Sequence, residues 1–224
     1  MPVSYVVILM VLLLLVIILS VKTTMLRNVV FDQASFNAVA AANKLTNPKA
    51  GFSLSRSQLA FWSVVVIGSF VYVVFFYDTS GGLKIPIVFN SVNLTLLGIA
   101  AGTTAVGKVI DNSQQKNPTS TTTSAQQNQP SKGFFTDIIS DENGVSVHRL
   151  QNVLWTIIVG AIYITFVSTK LALPDDKVIT STLLGLMGIS SATYIGVKTT
   201  ENSSPVPQPS PATVVTPVAT PPAV

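Results

Sequence analysis

The chain of 224 residues contains no cysteine, which excludes disulfides, thiolate catalysis and cysteine-based zinc sites. It has one histidine, His148, and a lone imidazole with no partner makes neither a catalytic triad nor a metal site. Charge is scarce as well. Asp, Glu, Lys and Arg are 10% of the residues, against about 25% in a soluble domain. So few charges cannot cover a water-facing surface of ordinary polarity. There is no phosphate-binding glycine loop, no H-E-x-x-H and no nucleophile elbow. No metal or cofactor is expected, and the chain is not expected to be an enzyme. The net charge of +4 comes from scattered residues with no Lys/Arg run, so a nucleic-acid partner is not expected either.

Apolar residues are abundant: 48% of the chain is hydrophobic and the mean hydropathy is +0.56. They concentrate in runs at 3–21, 59–77, 91–107, 153–171 and 181–197. About 20 such residues cross a bilayer, and runs apolar on every side are membrane spans rather than amphipathic surface helices. The first run has nothing basic before it and Lys22 and Arg27 after it, which predicts a retained anchor rather than a signal peptide. Spans one, two, three and five carry no ionisable group, and Lys170 lies at the end of the fourth, where it can snorkel. A proton or ion pathway would need such groups inside.

Five spans with an external N-terminus place ten of the 13 Lys and Arg residues on the cytoplasmic side, leaving only Lys84, Lys170 and Lys177 outside. That is the positive-inside bias. The expected organisation is an anchor at 1–21, a partly helical cytoplasmic linker at 22–52 and a hairpin at 53–108. A linker at 109–133 and a second hairpin at 134–200 follow, then a tail at 201–224. The linker is a Gln/Ser/Thr/Asn tract with little to bury, and the tail is proline-rich; both are expected to be disordered.

The two hairpins echo each other. SRSQLAFW at 55–62 returns as HRLQNVLW at 148–155, and GIAAGTTAVGK at 98–108 returns as GISSATYIGVK at 188–198. Both units leave the cytoplasm and come back to it, so the repeat is parallel rather than inverted. The fold class is an all-α membrane protein with five transmembrane helices, an N-terminal anchor plus two parallel-repeat two-helix hairpins.

Each echo suggests a task. Arg56, Gln58 and Trp62, with Arg149, Gln151 and Trp155, stand where a helix enters the membrane. There Arg reaches lipid phosphates and Trp sits at headgroup level, so interfacial anchoring is expected, with a paired anion site as the alternative. Ser55 and Gln58 also have capping-box spacing. Gly98, Gly102 and Thr103, with Gly188, Ala192 and Thr193, form small-residue helix faces that let backbones approach closely, the threonines bonding across the contact.

The stretches FSLSRSQLAFW and LLGIAAGTTAVG resemble a group of uncharacterised bacterial membrane proteins with an aromatic-S-L-x-R-x-Q helix start followed by a G-I-x-x-G-T helix. The resemblance covers residues 52 to about 200, and the second copy departs from it at His148 and Ala192. It implies a bacterial membrane location and adds no functional residues; with the charge distribution, the expected location is the bacterial inner membrane, N-terminus outside and C-terminus cytoplasmic. The expected function is an integral membrane scaffold or assembly subunit, a homo-oligomer or the partner of another membrane protein, in contact with the lipid bilayer. The alternative is a pore-forming or transport subunit built from oligomerised hairpins.

Overall fold

Apolar runs without proline fold as long helices, because lipid offers backbone N–H and C=O groups no other partner. The computed structural model describes residues 1–76, 89–116, 126–141 and 144–200. Among them, four helices are long and apolar enough to cross a membrane: α1 (Val3–Lys22), α3 (Leu54–Phe76), α4 (Ser91–Lys116) and α6 (Val147–Lys170). Between and after them lie α2 (Gln33–Ala42), α5 (Phe134–Ile139) and α7 (Ser181–Lys198). The fold is therefore mostly helical, as expected for a multi-pass membrane protein. A helix, α7, covers the expected fifth span, but Ser, Thr and Tyr residues and the terminal Lys198 dilute its apolarity and leave it outside the four.

α3 packs against α1, α4 and α6, while α7 packs against α4 and α6. The ring α3–α4–α7–α6 closes around a core in which Trp62, Val66, Leu96, Val159, Tyr163 and Met187 are buried. α1 lies outside this ring. Tyr5 holds it there: its hydroxyl shares a hydrogen bond of 2.7 Å with Ser69 Oγ, and its ring meets Tyr72 at 4.7 Å. At Gly68 the helices come so close that a Cβ would lie 2.7 Å from Leu9 Cδ2.

Hydrogen-bonding side chains set the helix starts. Asn90 Oδ1 accepts from Asn93 N and so caps α4. Asn93 begins a glycosylation triplet, but it is fully buried and closed to that chemistry. Asp32 caps α2, and its bonds from Ser35 hold its carboxyl below the usual carboxylate range. The capping box at Ser55 does not form. α3 begins one residue earlier, and Gln58 turns inward instead of back to the cap.

At 26 residues, α4 is about 39 Å long against a hydrocarbon thickness of about 30 Å, more than a span along the membrane normal requires. Positions 109–116, expected within a disordered linker, are helical. Positions 126–133 of that linker are ordered too, in a cap built with residues 24–53, 134–141 and 144–146. Asn128 Oδ1 accepts from Phe31 N (3.0 Å) and Asp32 N (2.9 Å). Asp137 accepts from Phe52 N, Ser131 Oγ and Lys132 N. Antiparallel bridges join Arg27 to Phe52 and Ala50 to Pro130. A short antiparallel pair joins β1 (Ser140–Asp141) to β2 (Gly144–Val145). The linker reading fails here because its amides satisfy buried backbone rather than water. Residues 77–88, residues 117–125 of the expected linker, residues 142–143 and the expected tail at 201–224 lie outside the described residues.

Asn128→Ala should leave two backbone N–H groups of the cap without their acceptor, at a cost of about 1–3 kcal/mol. The expected result is faster amide exchange over residues 28–42 with protection of α3 and α6 unchanged. Equal loss of protection in both regions would mean that cap and bundle unfold as one.

Candidate functional site

The repeated octets do not meet as a pair, and they occupy different surroundings. In the first copy Trp62 is 1% exposed and stacks edge-on with Phe61 and Tyr163. Gln58 Nε2 donates to Asn152 Oδ1 at 3.0 Å and Thr156 Oγ1 at 2.7 Å, forming a buried polar seam between α3 and α6. Arg56 is half-buried and donates to Arg27 O at 2.8 Å, which ties the helix start to the cap. In the second copy Arg149 is 2% exposed, donates to Gln126 Oε1 at 3.0 Å and lies 5.3 Å over the ring of Tyr194. Gln151 is exposed and Trp155 half-buried.

Anchoring at lipid headgroups, expected of all six, does not fit Gln58, Trp62 and Arg149, which face protein. Ring order gives the reason. α3 is flanked by α1, α4 and α6, whereas α6 is flanked by α3, α5 and α7, so equivalent positions meet different neighbours in the two copies. The seam follows from the same packing. Inside lipid a side-chain amide has no water to bond, so Gln58 needs its partners on the facing helix.

The second echo diverges in the same way. Lys108 is exposed, but Lys198 is buried and its ammonium lies 3.0 Å from Asp111 Oδ1. Gln127 Nε2 donates to that same oxygen at 3.0 Å, joining the cap to the ends of α4 and α7. Thr103 and Thr193 do not bond across a contact. Each hydroxyl returns to its own helix, at Ile99 O and Ile189 O, the usual back-bond of a helical threonine. Thr104 reaches across instead, to Ser55 O at 3.1 Å.

The small-residue faces point outward. Gly98, Ala101, Gly102 and Ala105 are exposed along α4, and Gly185, Ala192, Thr193 and Gly196 along α7, with Gly188 half-buried. A Cβ added at Gly98, Gly102 or Gly188 would meet nothing within 4 Å. Among the described residues, these glycines therefore pack against no helix of the same chain. The close approaches within the chain are made by Gly68 and Gly160, neither singled out by the small-xxx-small pattern.

Sequence reasoning passed over Asn152, Thr156, Asp111 and Gln127. A polar residue four apart from another on one helix, as Asn152 and Thr156 are, was the available signal for a buried polar face. Compared with protein-family models, curated proteins and solved structures, the chain matches none.

Proposed function

We propose that the chain is a membrane assembly subunit that associates, with itself or with another membrane protein, through the small-residue faces of α4 and α7. The carrying observation is that these glycines lie open while the chain's own helices pack elsewhere. Lipid tails are as apolar as leucine, so helices associate where backbones approach closely. No catalytic step belongs to this reading. The bundle axis is filled by Trp62, Leu96, Tyr163 and Met187, which favours assembly over conduction through a single chain.

In this reading α7 is a fifth span, supported by its packing along α4 and α6. The two hairpins descend from a duplication, supported by the two echoes in the same order. The location is a bacterial inner membrane with the N-terminus outside, the cap and C-terminus being cytoplasmic, supported by the distribution of Lys and Arg.

Crosslinking in native membranes should recover a defined oligomer or partner complex. Gly98→Leu with Gly188→Leu should abolish it while leaving the bundle folded, because neither side chain meets anything within the chain. A wild-type chain recovered only as a monomer would sink the proposal.

A further inference from the structure

One side of the bundle carries a feature that the assembly reading does not use. Between α1 and α3 runs a groove of ≈ 650 Å³, walled by Leu13, Ile17, Ala60 and Val64 and floored by Phe52 and Phe134. It follows α1 from Leu9 to Val21, a length of about 18 Å at the helical rise. That is a little over half of a hydrocarbon core of about 30 Å, the depth of one acyl chain in one leaflet.

The groove ends at the cap against a second cavity of ≈ 550 Å³, with which it shares Val21. Four basic residues line this cavity, Lys22, Arg27, Lys49 and Arg56, and no acid does among the described residues. Arg27 is held in place: Nη1 donates to Ala50 O at 2.5 Å, and the guanidinium lies 4.2 Å over the ring of Phe52. Phe52 is also part of the groove floor, so the apolar wall and the cation are in contact. Arg56 spends one donor on Arg27 O, and a guanidinium has five.

We propose that these two adjoining cavities together hold one anionic phospholipid of the leaflet next to the cap. Its phosphate sits among Arg27, Arg56, Lys22 and Lys49, and one acyl chain lies between α1 and α3. Apolar length, basic end and absence of acid are together the complement of that molecule. A zwitterionic lipid would bring an ammonium into a cavity that already holds four cations. The proposal needs only that the apolar helices cross a membrane; it depends neither on assembly nor on which side the cap faces.

The test uses the purified full chain, equilibrated with equal amounts of phosphatidylglycerol and phosphatidylcholine in detergent. Lipid retained per chain is read by native mass spectrometry, so a monomer serves as well as an oligomer. One phosphatidylglycerol should be retained, preferred at least about tenfold. Lys22 and Lys49 have exposed side chains with no ion pair among the described residues, so Lys22→Gln with Lys49→Gln keeps the fold. That variant should lose roughly tenfold or more of the preference, each charge near a membrane surface being worth about a factor of five. Ala60→Phe fills the groove and should release the lipid with all four cations intact. Equal retention of the two lipids by the wild type would overturn the proposal. So would a preference unchanged by the lysine variant, or retention that survives Ala60→Phe.

Discussion

Asp111→Ala should destabilise the folded chain by about 1.5–3 kcal/mol, the worth of a hydrogen bond to a charged group. Asp111 and Lys198 are 3.0 Å apart with side chains 15% and 5% exposed, so the ammonium left behind has little access to water. The substitution also removes the acceptor used by Gln127 Nε2, which loosens the cap from the ends of α4 and α7. Pairing it with Lys198→Met should restore most of the loss, because a buried ion pair replaced whole by apolar groups is often neutral. The measurement is denaturant unfolding in detergent, followed by the combined fluorescence of Trp62 and Trp155. A single-variant effect below about 0.5 kcal/mol would place the pair with exposed salt bridges, which are worth 0–1 kcal/mol at about the median.

Gly160→Leu should be the second severe change. A Cβ at this position would stand 2.5 Å from Phe61 Cζ and 2.9 Å from Phe61 Cε1, so either the ring swings out or α6 moves off α3. Overpacking of this kind costs about 1–3 kcal/mol. If the helices part, the Gln58 bonds to Asn152 and Thr156 on the same interface go with them, at about 0.6 kcal/mol each in a membrane. Phe61→Leu in the same chain should relieve the clash and recover part of the stability. The control is Gly188→Leu, with nothing within 4 Å, which should unfold like the wild type. If Gly160→Leu and Gly188→Leu unfold alike, α3 and α6 are not in the close contact described.

These two predictions involve residues that pattern reading ranks poorly. Gly160 sits in VLWTIIVGAIYITFV, with Thr156 four positions before it but no second glycine or alanine at that spacing. Gly98-x-x-x-Gly102 has the familiar spacing and yet packs nothing within the chain. Spacing reports which backbones are able to approach closely, while contact depends on which side of the helix the neighbour occupies. Lys198 illustrates the same limit. As the last residue of an apolar run it reads as an interfacial cation, and only the length of α4 brings Asp111 beside it.

The amides were misjudged for a related reason. Gln58 and Arg149 look like interfacial residues, and Gln127 and Asn128 look like disordered linker, because composition counts apolar area and passes over hydrogen bonds. In the fold Gln58, Gln127, Asn128 and Arg149 are all buried, each bonded to a group distant in the chain.

The amino-acid sequence by itself determined the long helices, since an apolar run without proline has few other conformations open to it in lipid. It also determined that charge gathers outside those runs, because ions are costly there. Tertiary structure alone decided which copy of each echo is buried, that the polar tract closes a cap and that four cations ring the foot of an apolar groove. Those outcomes depend on the order of helices around the ring and on the placement of the end of α4. Both come from packing between segments some 90 residues apart, and local periodicity carries no information at that range.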